Sequence, residues 1–197
     1  FGDAASFSLH PLKNLSVYGD GGMVTTNNDD LANKIKLLRN HGLKNRDECI
    51  IWGFNSRLDE LQACYGLIKL KYIYEWTERY IEIAAKYSEG LNDKVIKPKT
   101  NSGYQDVFHN YIIQVQPESR DSFMRDLLDL GVETKIHYPI PLHLQKCATQ
   151  LNYSKGDLPN VEKFASSMIS LPIYPLLSEE EIDYVISCVN LISSRLM

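Results

Sequence analysis

The longest periodic run in the chain constrains its architecture most. Leu58, Leu61, Tyr65, Ile68, Tyr72, Trp76, Tyr80, Ile83, Tyr87 and Leu91 recur at steps of three or four, the spacing that places side chains on one helical face. At about 1.5 Å per residue, an unbroken helix over this run spans roughly 50 Å. That length suits a connector between two domains, and its aromatics read as packing residues rather than as a cofactor box. The boundary falls within or just after the run, which gives one domain over residues 1–90 and a second over 91–197.

The flanking sequence supplies shorter elements. Ala4–Leu9 alternates small and apolar residues as a strand does, and Pro11, Gly19, Gly21 and Gly22 mark a loop before a β-like Met23–Thr26. Asn28 or Asp29 caps a helix through Leu31, Ile35 and Leu38 that ends near Asn40-His41-Gly42. After a loop at Lys97–Gly103, the pattern predicts a strand at Tyr111–Val115, a helix from Ser119 to Leu130 stopped by Gly131, and a strand at Val132–Ile136. Ser178 and Glu181 form a capping box ahead of Ile182, Val185, Val189 and Ile192. Mixed strands and helices of this kind make the chain α/β, with an α+β second domain.

Composition closes off several functions. Hydrophobic residues make up 44% of the chain and charged ones 23%, with net charge −4, which suits a packed globular protein and gives no basic face for nucleic acid. No stretch reaches the roughly 20 apolar residues that span a bilayer. Cys49, Cys64, Cys147 and Cys188 are scattered, so neither a zinc site nor a disulfide framework is expected, and reduced thiols point to the cytoplasm. The chain begins at Phe1 without a Met and runs straight into strand-like sequence, which reads as a sign of residues upstream.

The chemistry concentrates near the start. Ser8-Leu9-His10-Pro11-Leu12-Lys13 sets a hydroxyl five residues before a lysine, at the end of a strand and beside a glycine-rich loop. A pyridoxal phosphate enzyme needs an amine for imine formation and donors around the phosphate, and lysine serves because desolvation or nearby cations lower its pKa. Taken alone, however, Lys13 reads as an exposed loop lysine and Ser8 as a strand-end hydroxyl satisfying backbone.

The blocks around them are more specific. Phe1–Ser8, Lys13-Asn14-Leu15, Gly19–Thr26, Leu38–Gly42, Gly53–Ala63, His137–Gln145 and Ser170–Pro175, in this order and over essentially the whole chain, resemble the DegT/DnrJ/EryC1/StrS family of aminotransferases. The resemblance implies a fold-type I, aspartate aminotransferase-like PLP-dependent transferase, with this chain covering the C-terminal part of the large domain plus the small domain. It implies Lys13 as the lysine that forms a Schiff base with pyridoxal 5′-phosphate and Ser8 as a hydrogen-bond partner of the cofactor phosphate. Asn55 matches an asparagine that reaches the phosphate of a neighbouring subunit, so a homodimer with shared sites follows. Arg57 points toward the same site and an anionic substrate group, and His137 and Tyr138 match a pair beside the bound sugar. Leu9 stands where an aromatic is common in the family.

Competing readings of these residues stay open at the sequence level. Asn55 also suits a helix N-cap, itself compatible with phosphate, and Arg57 suits an ion pair with Asp59 or Glu60. His137 and Tyr138 also fit strand-end packing, His41 and His143 read as structural, and His10 either steadies the loop or touches substrate. The implied reaction moves an amino group, commonly from glutamate, to a keto group of a nucleotide-linked sugar, as in amino-sugar or surface polysaccharide synthesis. His137–Gln145 is closer to enzymes acting at the sugar's C3 than at C4. A same-fold sugar dehydratase is opposed by Lys13, since those enzymes resemble the family with histidine there. A cyclitol aminotransferase and a non-catalytic relative of the same fold stay open as well. The family's glycine-threonine phosphate turn, stacking aromatic and ring-nitrogen aspartate have no counterpart in these 197 residues, so the isolated chain is expected to bind PLP poorly.

Overall fold

In the computed structural model the described residues are 2–195; Phe1, with which the first motif block opens, lies outside them. The chain divides into two compact units, Phe1–Trp76 and Thr77–Met197.

In the first unit, β1 (Ala4–Ser8) pairs antiparallel with β2 (Gly22–Thr26), from Ala4 opposite Thr26 to Ser8 opposite Gly22. The N–H of Leu9 carries the ladder one residue further, to the Gly21 carbonyl at 2.8 Å. Helix α1 (Asp29–Arg39) opens on Asn28, whose side chain accepts the Leu31 N–H at 3.0 Å, with Asp29 and Asp30 set against the positive end of the helix dipole. Among the described residues of this unit, Leu9 and Val17 are the buried apolar side chains, while Trp52, Phe54, Leu61 and Tyr74 are exposed.

The periodic run forms two helices rather than one, α2 (Glu60–Leu70) and α3 (Ile73–Gly90). At the join, Lys71 N–H bonds to Ile68 O and Tyr72 N–H to Lys69 O, three residues back instead of four. Ile68, Tyr72, Ile73 and Tyr74 fall close together in the sequence here, and β-branched and aromatic side chains restrict rotamers against the preceding turn. The apolar spacing persists across the join although the backbone ladder does not. The division between the units falls inside α3, upstream of residue 90, because Ile83, Ala84 and Tyr87 belong to the core of the second unit.

That core gathers Leu91, Tyr111, Ile113, Phe123, Leu127, Ile169, Leu171, Ile182, Val185 and Val189 as well. Strand β3 (Tyr111–Gln114) runs antiparallel to β4 (Met168–Leu171), and single bridges at Ile96–Gln114 and Lys135–Ser170 extend the sheet on either side. Helix α4 (Arg120–Asp129) ends where Gly131, at φ 79°, bonds to Leu128 O and Val132 N–H bonds to Leu127 O, a left-handed cap that only glycine adopts without strain. The strand expected at Val132–Ile136 shrinks to the Lys135 bridge, because the Val132 amide is committed to that cap. Helix α5 (Pro159–Ser167), unmarked in the sequence reading, leads directly into β4, and α6 (Glu179–Ser193) starts on the full Ser178–Glu181 capping box.

Candidate active site

Ser8 ends β1, and the loop beyond it is held by its own short side chains. Ser8 Oγ accepts the His10 N–H at 3.3 Å, His10 Nδ1 accepts the Leu12 N–H at 3.2 Å, and His10 O accepts the Lys13 N–H at 2.8 Å. His10 therefore steadies the loop, one of its two sequence readings. The Val17 N–H closes the loop on Leu9 O at 2.9 Å, and Lys13 sits half-buried between these fixed ends.

Helix α2 fastens the same loop from outside. Gln62 Oε1 accepts the Tyr18 N–H at 2.8 Å, the Tyr65 ring stacks on Tyr18 with centroids 3.8 Å apart, and Lys69 Nζ donates to the buried Ser16 Oγ at 2.5 Å. The Lys69 ammonium also lies over the rings of Tyr65 and Trp76, 5.2 and 5.6 Å from their centroids. A Cβ on Gly66 would stand 3.3 Å from Val17, so the helix approaches the loop along its 62, 65, 66, 69 face. None of these residues is a site residue in the sequence reading, where Tyr65 is packing; their spacing on one face was the available signal.

Asn55 and Arg57 lie on a segment braced against the end of α1. Phe54 N–H bonds to Leu38 O, His41 N–H to Phe54 O and Ser56 N–H to Arg39 O, with Asn40 and Asn55 opposite each other. The brace requires Gly42, at φ 74°, because a Cβ there would fall 1.7 Å from Ile51 O. Arg57 Nε donates to Asn55 Oδ1 at 3.0 Å, which occupies the amide oxygen and leaves Nδ2 as a donor. Asn55 is not a helix N-cap, because α2 is entered through Asp59, and among the described residues Arg57 forms no ion pair with Asp59 or Glu60.

In the second unit, His137 follows the Lys135–Ser170 bridge, and its Nδ1 lies 2.8 Å from Ser170 Oγ. Tyr138, 70% exposed, stands edge-on to the His137 ring with centroids 5.6 Å apart, across a cis peptide. Further along, the buried His143 pairs through Nε2 with Glu162 Oε1 at 3.1 Å. Glu162 also accepts the Gly156 N–H, and that bond, with His143 second, holds its carboxyl below the usual carboxylate range. A cleft of about 740 Å³ between the α4 cap and α6, lined by Glu133, Lys135, Tyr174 and Tyr184, includes none of the predicted site residues.

The donor set of the first unit fits a phosphate-bearing aldehyde cofactor. A strand-end hydroxyl and a half-buried lysine share one pinned loop, and the Asn55 amide, held through Oδ1 by Arg57, keeps its Nδ2 as a donor. Among the described residues no group of three or more His, Cys, Asp or Glu is placed to hold a metal ion. The four cysteines are free thiols, and among the described residues no helix is long and apolar enough to cross a membrane.

Comparison with known proteins places these residues in context. Residues 1–190 match the model of the DegT/DnrJ/EryC1/StrS aminotransferase family. A Geobacillus stearothermophilus protein called a pleiotropic regulatory protein is 42% identical over 94% of this chain and 50% of its own length. The dTDP-3-amino-3,6-dideoxy-alpha-D-galactopyranose transaminase of Aneurinibacillus thermoaerophilus is 40% identical over 96% of this chain and 51% of its own. The crystal structure of S. venezuelae DesV in complex with a ketimine intermediate superposes with a TM-score of 0.92 at 35% identity, over 98% of this chain and 52% of that one. The chain thus spans about half the length of each of these proteins.

Proposed function

The chain belongs to the DegT/DnrJ/EryC1/StrS aminotransferase family, and from that premise we propose that it serves a PLP-dependent transfer of an amino group from glutamate to a keto group of a nucleotide-linked sugar. The observation that carries the proposal is the pinned Ser8–Val17 loop, which presents a hydroxyl and the Lys13 amine from a segment fixed at both ends. PLP supplies an electron sink for the pair left on a carbon that loses a proton. Lys13 anchors the cofactor between turnovers and, once released, its Nζ takes and returns that proton. Ser8 donates its hydroxyl to the phosphate. Asn55 of the partner subunit offers Nδ2 to the same phosphate, held in that orientation by its Arg57, which faces an anionic part of the substrate.

A homodimer supports this arrangement, because Trp52 and Phe54, just before Asn55 in the chain, are 95% and 70% exposed. Apolar surface of that size is what a second copy covers. His137 and Tyr138 contact the sugar, and the 3-amino product named for the Aneurinibacillus relative supports reaction at C3. Four unpaired thiols suit the cytoplasm and an amino-sugar or surface polysaccharide route there.

The test is a panel of nucleotide-linked 3-keto and 4-keto sugars incubated with glutamate and the full-length polypeptide, with products read by mass. Gain of an amino group by a 3-keto sugar is expected; gain by a cyclitol ketone alone would overturn the sugar assignment. The name of the Geobacillus relative supports a regulatory role as a second reading. Replacing Lys13 by Ala separates the two, since an aminotransferase loses amino transfer and a scaffold keeps its function.

A further inference from the structure

We propose that Ser170 is a positioning residue that holds the His137 imidazole with Nδ1 bare and the proton on Nε2, so that His137 presents an N–H donor to an oxygen of the bound sugar. The inference rests on the sugar-contact reading of His137 given above.

The register of the sheet brings the two residues together. Ser170 N–H bonds to Lys135 O at 2.8 Å and Lys135 N–H to Ser170 O at 3.3 Å, which locks Ser170 opposite the residue two before His137. Side chains two apart on an extended segment lie on one side, and His137 Nδ1 reaches Ser170 Oγ at 2.8 Å. Strand β4 is buried along its whole length, and Ser170 is 5% exposed. The backbone bonds to Lys135 hold Ser170 in this register.

Counting hydrogens then selects the tautomer. A serine hydroxyl has one proton to donate, and in a neutral imidazole one ring nitrogen donates while the other accepts. The hydroxyl's hydrogen-bond contact among the described residues is His137 Nδ1. If Nδ1 carried the proton, the hydroxyl would accept it, and its own hydrogen would be buried without an acceptor, losing hydration that nothing replaces. With the hydroxyl donating to a bare Nδ1, both groups are satisfied and the ring proton stays on Nε2. The partner across the ring thus decides what His137 offers to a ligand.

The test uses the PLP-loaded full-length polypeptide with 15N-histidine, comparing the unsubstituted protein with Ser170→Ala and Ser170→Thr. Long-range 1H–15N spectra of His137 should report the Nε2–H tautomer in the unsubstituted and threonine proteins and a shift toward Nδ1–H in the alanine protein. The KM for the keto sugar should rise about five- to thirty-fold in Ser170→Ala, the range expected for one misdirected hydrogen bond, with the KM for glutamate within about twofold. Should alanine or threonine prevent folding, Ser170→Cys keeps the volume with a weaker donor and should give an intermediate spectrum. An unchanged His137 tautomer in Ser170→Ala, or equal rises in both KM values, would overturn the proposal. Absence of sugar transamination in the unsubstituted protein would instead overturn the functional reading, while the spectra still decide whether Ser170 sets the tautomer.

Discussion

Lys69 is the residue whose loss should be felt most clearly in the loop that carries Lys13. Replacing it by Met keeps most of the apolar stem against α2 and removes the ammonium. The ammonium donates to Ser16 Oγ at 2.5 Å and lies over the Tyr65 and Trp76 rings. A charge-assisted hydrogen bond contributes about 1.5–3 kcal/mol, and cation–π contacts at half-exposed positions about 0.5–1 kcal/mol. Ser16 is buried and would lose its donor. At the low end of these ranges a local loss of about 2 kcal/mol follows, equal to about a thirty-fold rise in the open fraction of the loop. Amide exchange at Val17, whose N–H closes the loop on Leu9 O, should speed up by about that factor, and exchange in α6 should not. Sugar transamination should fall in parallel, because Lys13 then samples positions away from the reacting carbon. Unchanged Val17 exchange in Lys69→Met would refute the claim that α2 positions the loop.

Two further outcomes follow from the same contacts. Glu162, whose carboxyl lies below its ordinary range in the fold, contributes stability that is present above about pH 4.3 and is lost as pH falls through its folded value; the Tm gap between the unsubstituted protein and Glu162→Gln should therefore narrow as pH drops from about 5.5 to 3. Gly42→Ala, with a Cβ forced to within 1.7 Å of Ile51 O at a positive φ, should cost about 2–4 kcal/mol in denaturant unfolding and release the brace on Phe54–Ser56, read as faster amide exchange at Phe54.

Local signals in the sequence were the most informative ones. Asn28 and the Ser178–Glu181 box place the starts of α1 and α6, and Gly131 places the end of α4, because caps are satisfied by residues a few positions away. The join at Lys71–Tyr72 was not legible, since apolar spacing reports which face is buried and not whether each backbone bond is made to the fourth residue back. The Val132–Ile136 strand failed for a related reason: its first amide is claimed by the preceding helix. At the site, the motif blocks single out Ser8, Lys13, Asn55 and Arg57. They give no role to Gln62, although it stands in the Gly53–Ala63 block, and they do not reach Lys69; the contacts of these two with Tyr18 and Ser16 span 44 and 53 residues. The His137–Ser170 pair, 33 residues apart, likewise exists only once the register of β4 is fixed. Polar contacts between distant segments carry no periodicity, which is why sequence reasoning passes over them.

The central claim is that Lys13 is the lysine that anchors the cofactor. Borohydride reduction of the PLP-loaded full-length polypeptide, followed by peptide mapping, tests it directly. A pyridoxyl adduct on the peptide containing Lys13, absent in Lys13→Ala, is the predicted result. An adduct on a different lysine in a protein that still transaminates would contradict it.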